Sequence, residues 1–155
     1  GTTAETHRFA ELEGKVADSG KVTVGVHLTS VDTQIPIRDE RMQEMLFETK
    51  NRAMATITAR VNVADFEQMS EGSVASKDVK LALSLHGKTR DYDTRMQVVK
   101  LANGGIAVST EQPLLVKADD FGLAGGIEAL REIAGLSSIA TAVPVTANLV
   151  FRVNN

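Results

Sequence analysis

From Val22 to Leu28 the chain alternates without a fault: Val22, Val24, Val26 and Leu28 share one parity, and Thr23, Gly25 and His27 the other. A period of two sends successive side chains to opposite faces of a strand, so this segment predicts a ribbon with one dry and one wet face. The same period returns at Ala55-Ile57-Ala59-Val61-Val63, at Val79-Leu81-Leu83-Leu85, and over the longest run, Val143-Val145-Ala147-Leu149-Phe151-Val153. Less regular strands are expected at about 7–17 around Phe9, Leu12 and Val16, at 90–102 around Tyr92, Met96 and Val98, and at 105–117 around Ile106, Val108, Leu114 and Val116. That makes about seven strands. Asp18-Ser19-Gly20, His86-Gly87-Lys88 and Asn103-Gly104-Gly105 are turn sequences between consecutive runs, so neighbours should pair as antiparallel hairpins.

Two segments break the alternation. Residues 37–48 (IRDERMQEMLFE) are good helix formers and set Met42, Met45 and Leu46 on one stripe. Residues 126–135 (GIEALREIAG) do the same through Ile127, Leu130 and Ile133 and stop at Gly135. The fold class expected is mainly β, a single domain over 1–155 with short helices inserted between strands. An antiparallel sheet with one apolar face must stack on a second sheet or curl around that face. Long consecutive hairpins with helical insertions favour the curled barrel over the competing immunoglobulin-like sandwich.

Composition narrows the function classes. A chain of 155 residues, 43% hydrophobic and 24% charged, has enough length for a core that needs no metal or disulfide. With no cysteine, thiol catalysis, iron–sulfur ligation and disulfide frameworks drop out. A formal charge of −3 and a pI near 5.6 argue against a nucleic-acid partner. No apolar run reaches the ~18 residues of a membrane span.

Candidate chemistry is sparse. Asp120-Phe121-Gly122 spells the magnesium-binding triplet of protein kinases, but no glycine-rich phosphate loop or catalytic loop accompanies it, so it is a chance match. His7, His27 and His86 are far apart, and although strand neighbours could bring His27 and His86 together on the wet face, a metal centre needs three or four ligands. Neither a metal nor another cofactor is expected. The carboxylates around the first helix, Glu44 and Glu48 among them, sit with Arg38 and Arg41 and read as a solvated ion-pair surface. No serine, histidine and acid arrangement marks a hydrolase, and the expectation is a non-enzymatic protein. What remains is an apolar interior lined mostly by Val, Ala and Leu, with only five Phe, one Tyr and no Trp. Small side chains leave volume, and methionines are adaptable wall material for a flexible chain.

Leu28-Thr29-Ser30-Val31-Asp32-Thr33, followed by Arg38-Asp39-Glu40-Arg41-Met42 and Leu46-Phe47, resembles the SxDT…R[DN]E…F block of the YceI family, lipocalin-like proteins of bacteria. Leu81-Ala82-Leu83-Ser84-Leu85-His86-Gly87-Lys88-Thr89 is similar to that family's hairpin, and Asp120-Phe121-Gly122-Leu123 to its D-F-G turn before the second helix. The resemblance runs in order from about residue 7 to 153. It implies an extended antiparallel barrel around a hydrophobic tunnel that in some members binds a polyisoprenoid or fatty-acid derivative, in proteins that are usually exported to the periplasm and often dimeric.

Ser30, Asp32 and Thr33 are suited to ending a strand, and Arg38 and Glu40 to pairing at the rim. Arg52-Ala53 departs from the aromatic-proline pair common in the family. The family's further first hairpin is also missing, so a gap or an uncovered edge is expected. The lumen is then expected to be lined by Val24, Val26 and Leu28 and by Met42, Met45 and Phe47. Leu81, Leu83, Leu85, Met96 and Val98 are expected there too, and Phe121, Leu123, Leu149 and Phe151 complete the lining. The partners expected are one long-chain lipid and a second copy of the chain as a homodimer.

Overall fold

A computed structural model describes residues 8–9, 12–28, 31–32, 36–43, 47, 54–123, 125–129 and 142–152. The wall of the molecule is a seven-stranded antiparallel sheet in the order β11-β8-β7-β6-β5-β3-β2. Its strands are β2 (Leu12–Val16), β3 (Lys21–His27), β5 (Met54–Arg60), β6 (Val74–Leu85), β7 (Lys88–Lys100), β8 (Ile106–Thr110) and β11 (Asn148–Phe151). Two short ladders extend it: β1 (Arg8–Phe9) with β4 (Val31–Asp32), and β9 (Leu114–Lys117) with β10 (Ala142–Val145). The seven runs read from the alternation are therefore present, three of them broken in two and that at Val79–Leu85 extended to begin at Val74.

The breaks have local causes. Between β8 and β9 the chain bends at Glu111, Gln112 and Pro113, and Pro113 brings no N–H to a ladder. Glu111 is pinned there: its amide donates to Arg95 O at 3.0 Å, its carboxylate meets Arg95 Nε at 3.4 Å, and it accepts from the Ser76 hydroxyl. The facing strand bends at the same level, where Thr110 N donates to Ala147 O at 3.1 Å and Ala147 N to Thr110 Oγ1 at 3.2 Å. Beyond the bend β9 pairs with β10, while β7 is paired with β8 only over Met96–Lys100.

The three expected turns are turns. His86 and Gly87 both have positive φ, 54° and 77°, the conformation a two-residue hairpin needs to match the twist of β6 and β7. Asn103 and Gly104 likewise take positive φ between β7 and β8.

Register puts one set of side chains on the inner face of every strand. Val22, Ala59, Leu81 and Tyr92 form one row, Val24, Ile57 and Leu83 a second, and Ala75, Val98, Val108 and Leu149 a third. Directly paired residues share a face, so these rows curl into one interior. The edges β2 and β11 meet at a seam where Gly14 has no side chain to hold them apart: a Cβ there would stand 3.3 Å from Phe151 Cε1. No ladder joins the two edges among the described residues, and the barrel is nearly closed rather than continuous.

Three expectations need correction. Val63 does not extend its strand: Asn62 caps a helix, α2 (Val63–Glu67), with its side chain accepting from Ala64 N at 3.1 Å. Val143 and Val145, assigned to the dry column of the last strand, are 48% and 39% exposed, because they lie beyond the bend, outside the curled part of the wall. The first helix is α1 (Pro36–Arg41), followed by a wider turn in which Phe47 N reaches Met42 O at 2.9 Å, an i+5 bond. The helical stretch at 125–129 agrees with the start of the second expected helix. Residues 44–46 and 130–141 lie outside the described residues.

Candidate functional site

The interior is built in two groups of buried residues. Leu28, Phe47 and Ala55 form one, with Val26, Met42, Leu83 and Leu85 packed against them. Ala118, Phe121 and Leu123 form the other, with Leu83, Leu85, Tyr92, Val116 and Ile127 around them. Leu83 and Leu85 belong to both, so the inner face of β6 is the spine along which the apolar interior is continuous. Deeper in the barrel Val24, Leu81, Met96 and Val98 are buried, and Leu149 and Phe151 are half-buried. Of the residues expected to line a lumen, only Met45 lies outside the described set.

Each end of this interior is covered by a different device. At one end α2, with no buried residue of its own, is tied to the strands. Lys100 and Lys77 stand at inward positions of β7 and β6, and their ammonium groups reach it: Lys100 Nζ donates to Phe66 O at 2.8 Å, and Lys77 Nζ lies 3.8 Å from Asp65 Oδ2. The bond from Lys100 falls on a carbonyl in the last turn, which also accepts from Met69 N at 3.2 Å and where a cation is favoured. Val61 N donating to Gly20 O at 2.8 Å ties the approach to α2 to the β2–β3 turn. At the other end, Ala118–Phe121 makes one 3-10 turn ending in Gly122, in the left-handed conformation. Phe121, fully buried, drops into the split between β7 and β9. His86 Nδ1 lies 3.1 Å from Phe121 O, fixing this turn to the β6–β7 hairpin.

One polar group stands out. Tyr92 Oη is buried and has no hydrogen-bond partner among the described residues. Its pKa is raised above the ordinary tyrosine value, first by burial and then by the negative charge of Asp120, with Arg90 opposing. The ring lies on the inner face of β7, two positions above Thr94 and against the Phe121 group. Sequence reading placed Tyr92 on a strand but not in the lining, although its parity with Met96 and Val98 was the available signal. Ala55, Val116 and Ile127 stand in the expected strand and helix patterns without having been assigned to the lining, and Ala118 is a lone small residue that carries no periodicity.

The histidines do not assemble. β5 lies between β3 and β6 in the sheet, which separates the strands leading to His27 and His86, and His86 is engaged with Phe121 O instead. Among the described residues no group of three or more His, Asp or Glu side chains could hold a metal ion. Arg95, Asp78 and Glu111 do cluster, but on the outer face, as solvated pairs that brace the bend. Two open clefts, of about 660 and 250 Å³, lie at the α2 end and beside Lys80 and Asp91, lined largely by polar and outward-facing residues. No described helix is long and apolar enough to cross a membrane.

A nearly closed antiparallel barrel with an apolar interior and short helical coverings is the architecture of the lipocalin-like proteins. A YceI-like domain matches residues 1–151, and the chain belongs to that family. Among solved structures it is similar to a polyisoprenoid binding domain from Saccharophagus degradans implicated in plant cell wall breakdown: 39% identity, TM-score 0.95, covering 97% of this chain and 86% of that one. The Campylobacter jejuni YceI protein shares the fold at 16% identity and TM-score 0.71, covering 100% of this chain and 88% of that one. Burkholderia cenocepacia BcnA does so at 15% and 0.65, covering 90% and 82%. Comparison with curated proteins returned no significant match.

Proposed function

We propose that this protein binds one long apolar molecule, a polyisoprenoid or fatty-acid-like lipid, inside the barrel and carries out no chemistry on it. The observation that carries this reading is the unbroken apolar path along Leu83 and Leu85, which joins the Leu28–Phe47 group to the Phe121–Leu123 group between two covered ends. The similarity to a polyisoprenoid binding domain at 39% identity supports the same ligand class. Binding would rest on burial, at about 0.8 kcal/mol for each methylene before the costs of association, so a long chain needs few polar contacts. Organic extraction of the natively purified protein, followed by mass spectrometry, is expected to release one long-chain lipid species. Repeated failure to recover any, together with no uptake of added isoprenoid, removes the proposal. Since the family is largely exported, the compartment proposed is the periplasm, to be checked by cell fractionation.

A second reading has its own observation. Val74, Val99, Ala107 and Val150 form a row across four strands on the outer face, with Val74 58% and Val150 54% exposed. A filled barrel acting through this surface, as a homodimer or with another protein, would self-associate in sedimentation experiments and lose nothing on lipid extraction.

A further inference from the structure

A buried hydroxyl without a partner is rarely left in a protein interior, since leaving it unsatisfied costs about 1–3 kcal/mol. Tyr92 Oη is such a group. Among the described residues its packing partners are apolar: Leu81 is its direct neighbour across the hairpin, and Ala118, Phe121 and Leu123 form the group it packs against. Three carbonyls of the turn are engaged, and Asp120, whose charge acts on Tyr92, makes no hydrogen bond to its hydroxyl. Phe121 O meets His86 Nδ1, Ala118 O receives Leu123 N at 2.9 Å, and Asp119 O receives Gly122 N at 3.4 Å.

Resting on the lipid-binding reading above, we infer that Tyr92 Oη is the polar anchor of the lumen and donates a hydrogen bond to an uncharged oxygen on the ligand, so that the ligand class is an apolar chain bearing an alcohol, carbonyl or amide rather than a phosphate or carboxylate. The phenol can offer one O–H, which suits a single acceptor and cannot neutralise an anion. Asp120, half-buried in the turn that packs against Tyr92, adds a negative charge that opposes an anionic head in the same place. Arg90, the counterweight, is exposed two residues nearer the hairpin. The raised pKa keeps the phenol protonated, and therefore a donor, through the whole neutral range.

Tyr92 is the only tyrosine in a chain without tryptophan, so its ultraviolet absorbance and emission report on it alone. The test uses extracted full-length protein and three probes on a C20 isoprenoid framework: geranylgeraniol, geranylgeranyl diphosphate and the saturated hydrocarbon phytane. Binding is read by displacement of N-phenyl-1-naphthylamine. Tyr92→Phe is expected to weaken geranylgeraniol by about 5- to 10-fold, the loss of one hydrogen bond. Phytane should bind both forms equally, and wild type should hold the alcohol more tightly than the diphosphate. Bound geranylgeraniol should move the tyrosinate titration to higher pH, and phytane should move it less. Without ligand, Tyr92→Phe should melt no lower than wild type, because it removes an unsatisfied group.

Equal affinity of geranylgeraniol for both forms, tighter binding of the diphosphate, or a lower melting temperature of the unliganded variant each overturns the anchor. If phytane displaces the dye while Tyr92→Phe has no effect, the anchor alone fails and lipid binding stands. If none of the three probes displaces it, both fall.

Discussion

Phe121 is the side chain whose truncation most directly tests how the upper barrel is held. It is fully buried, packs among Leu83, Leu85, Tyr92, Val116 and Ile127, and fills the split that opens where β9 leaves β7. A buried phenylalanine removes about 150–200 Å² from water, which at about 25 cal/mol per Å² is about 4–5 kcal/mol. Phe→Ala substitutions in cores cost about 3–5 kcal/mol once the remaining cavity is included. For a domain of this size that corresponds to a fall of about 10–15 °C in Tm. Urea unfolding of extracted Phe121→Ala, followed by far-UV circular dichroism and Tyr92 emission, gives the value. Tyr92 touches the same group, so both signals should move together. Val150→Ala, on the exposed outer face, is the control and should stay within about 0.5 kcal/mol of wild type. A loss below about 1 kcal/mol for Phe121→Ala would mean that the 118–121 turn is not packed into the wall, and the continuous interior would lose one of its two groups.

Glycine substitutions separate crowding from backbone strain. Gly20 and Gly72 both have positive φ, but a Cβ at Gly20 would lie 2.0 Å from Val61 O while Gly72 has open space. Gly72→Ala should therefore cost about 1–2 kcal/mol, and Gly20→Ala about 2–5 kcal/mol, in the same urea assay. Lys100→Met keeps the apolar stem but removes the bond to Phe66 O, and should cost about 0.5–1.5 kcal/mol, with the earliest amide exchange appearing in α2. Because the folded chain holds the Tyr92 proton more tightly than the unfolded chain does, the associated stability is complete below about pH 10 and drains away as pH rises past it. Tyrosinate absorbance should show a midpoint above 10.0, and Tyr92→Phe should flatten that part of the alkaline loss.

The strands were legible because burial on one face forces a period of two, and the column Val22 to Leu28 carries it with nothing interposed. Legibility failed where the inward position is not apolar. β6 starts at Val74, five residues before its visible pattern, because Lys77 occupies an inward place and turns its ammonium toward Asp65. α2 was hidden because Val61 and Val63 happen to continue the alternation of β5, and the cap at Asn62 is the feature that ends it. The interior followed the same rule. Leu28, Phe47, Leu83, Leu85, Phe121 and Leu123 come together as their parity or motif suggested. The bend at Glu111–Pro113 could not be read from periodicity, since Val143 and Val145 keep step with Leu149 along the chain while leaving the curled wall in space.

The seam at Gly14 and Phe151 has a mechanical consequence. A sheet hydrogen-bonded all the way round has its girth set by strand number and stagger. Here six of the seven junctions are fixed in that way, and the last is an aromatic ring resting over a bare backbone. Such a wall behaves like a cuff fastened by friction: its girth is free to change by slippage along one line, with every other strand keeping its neighbour.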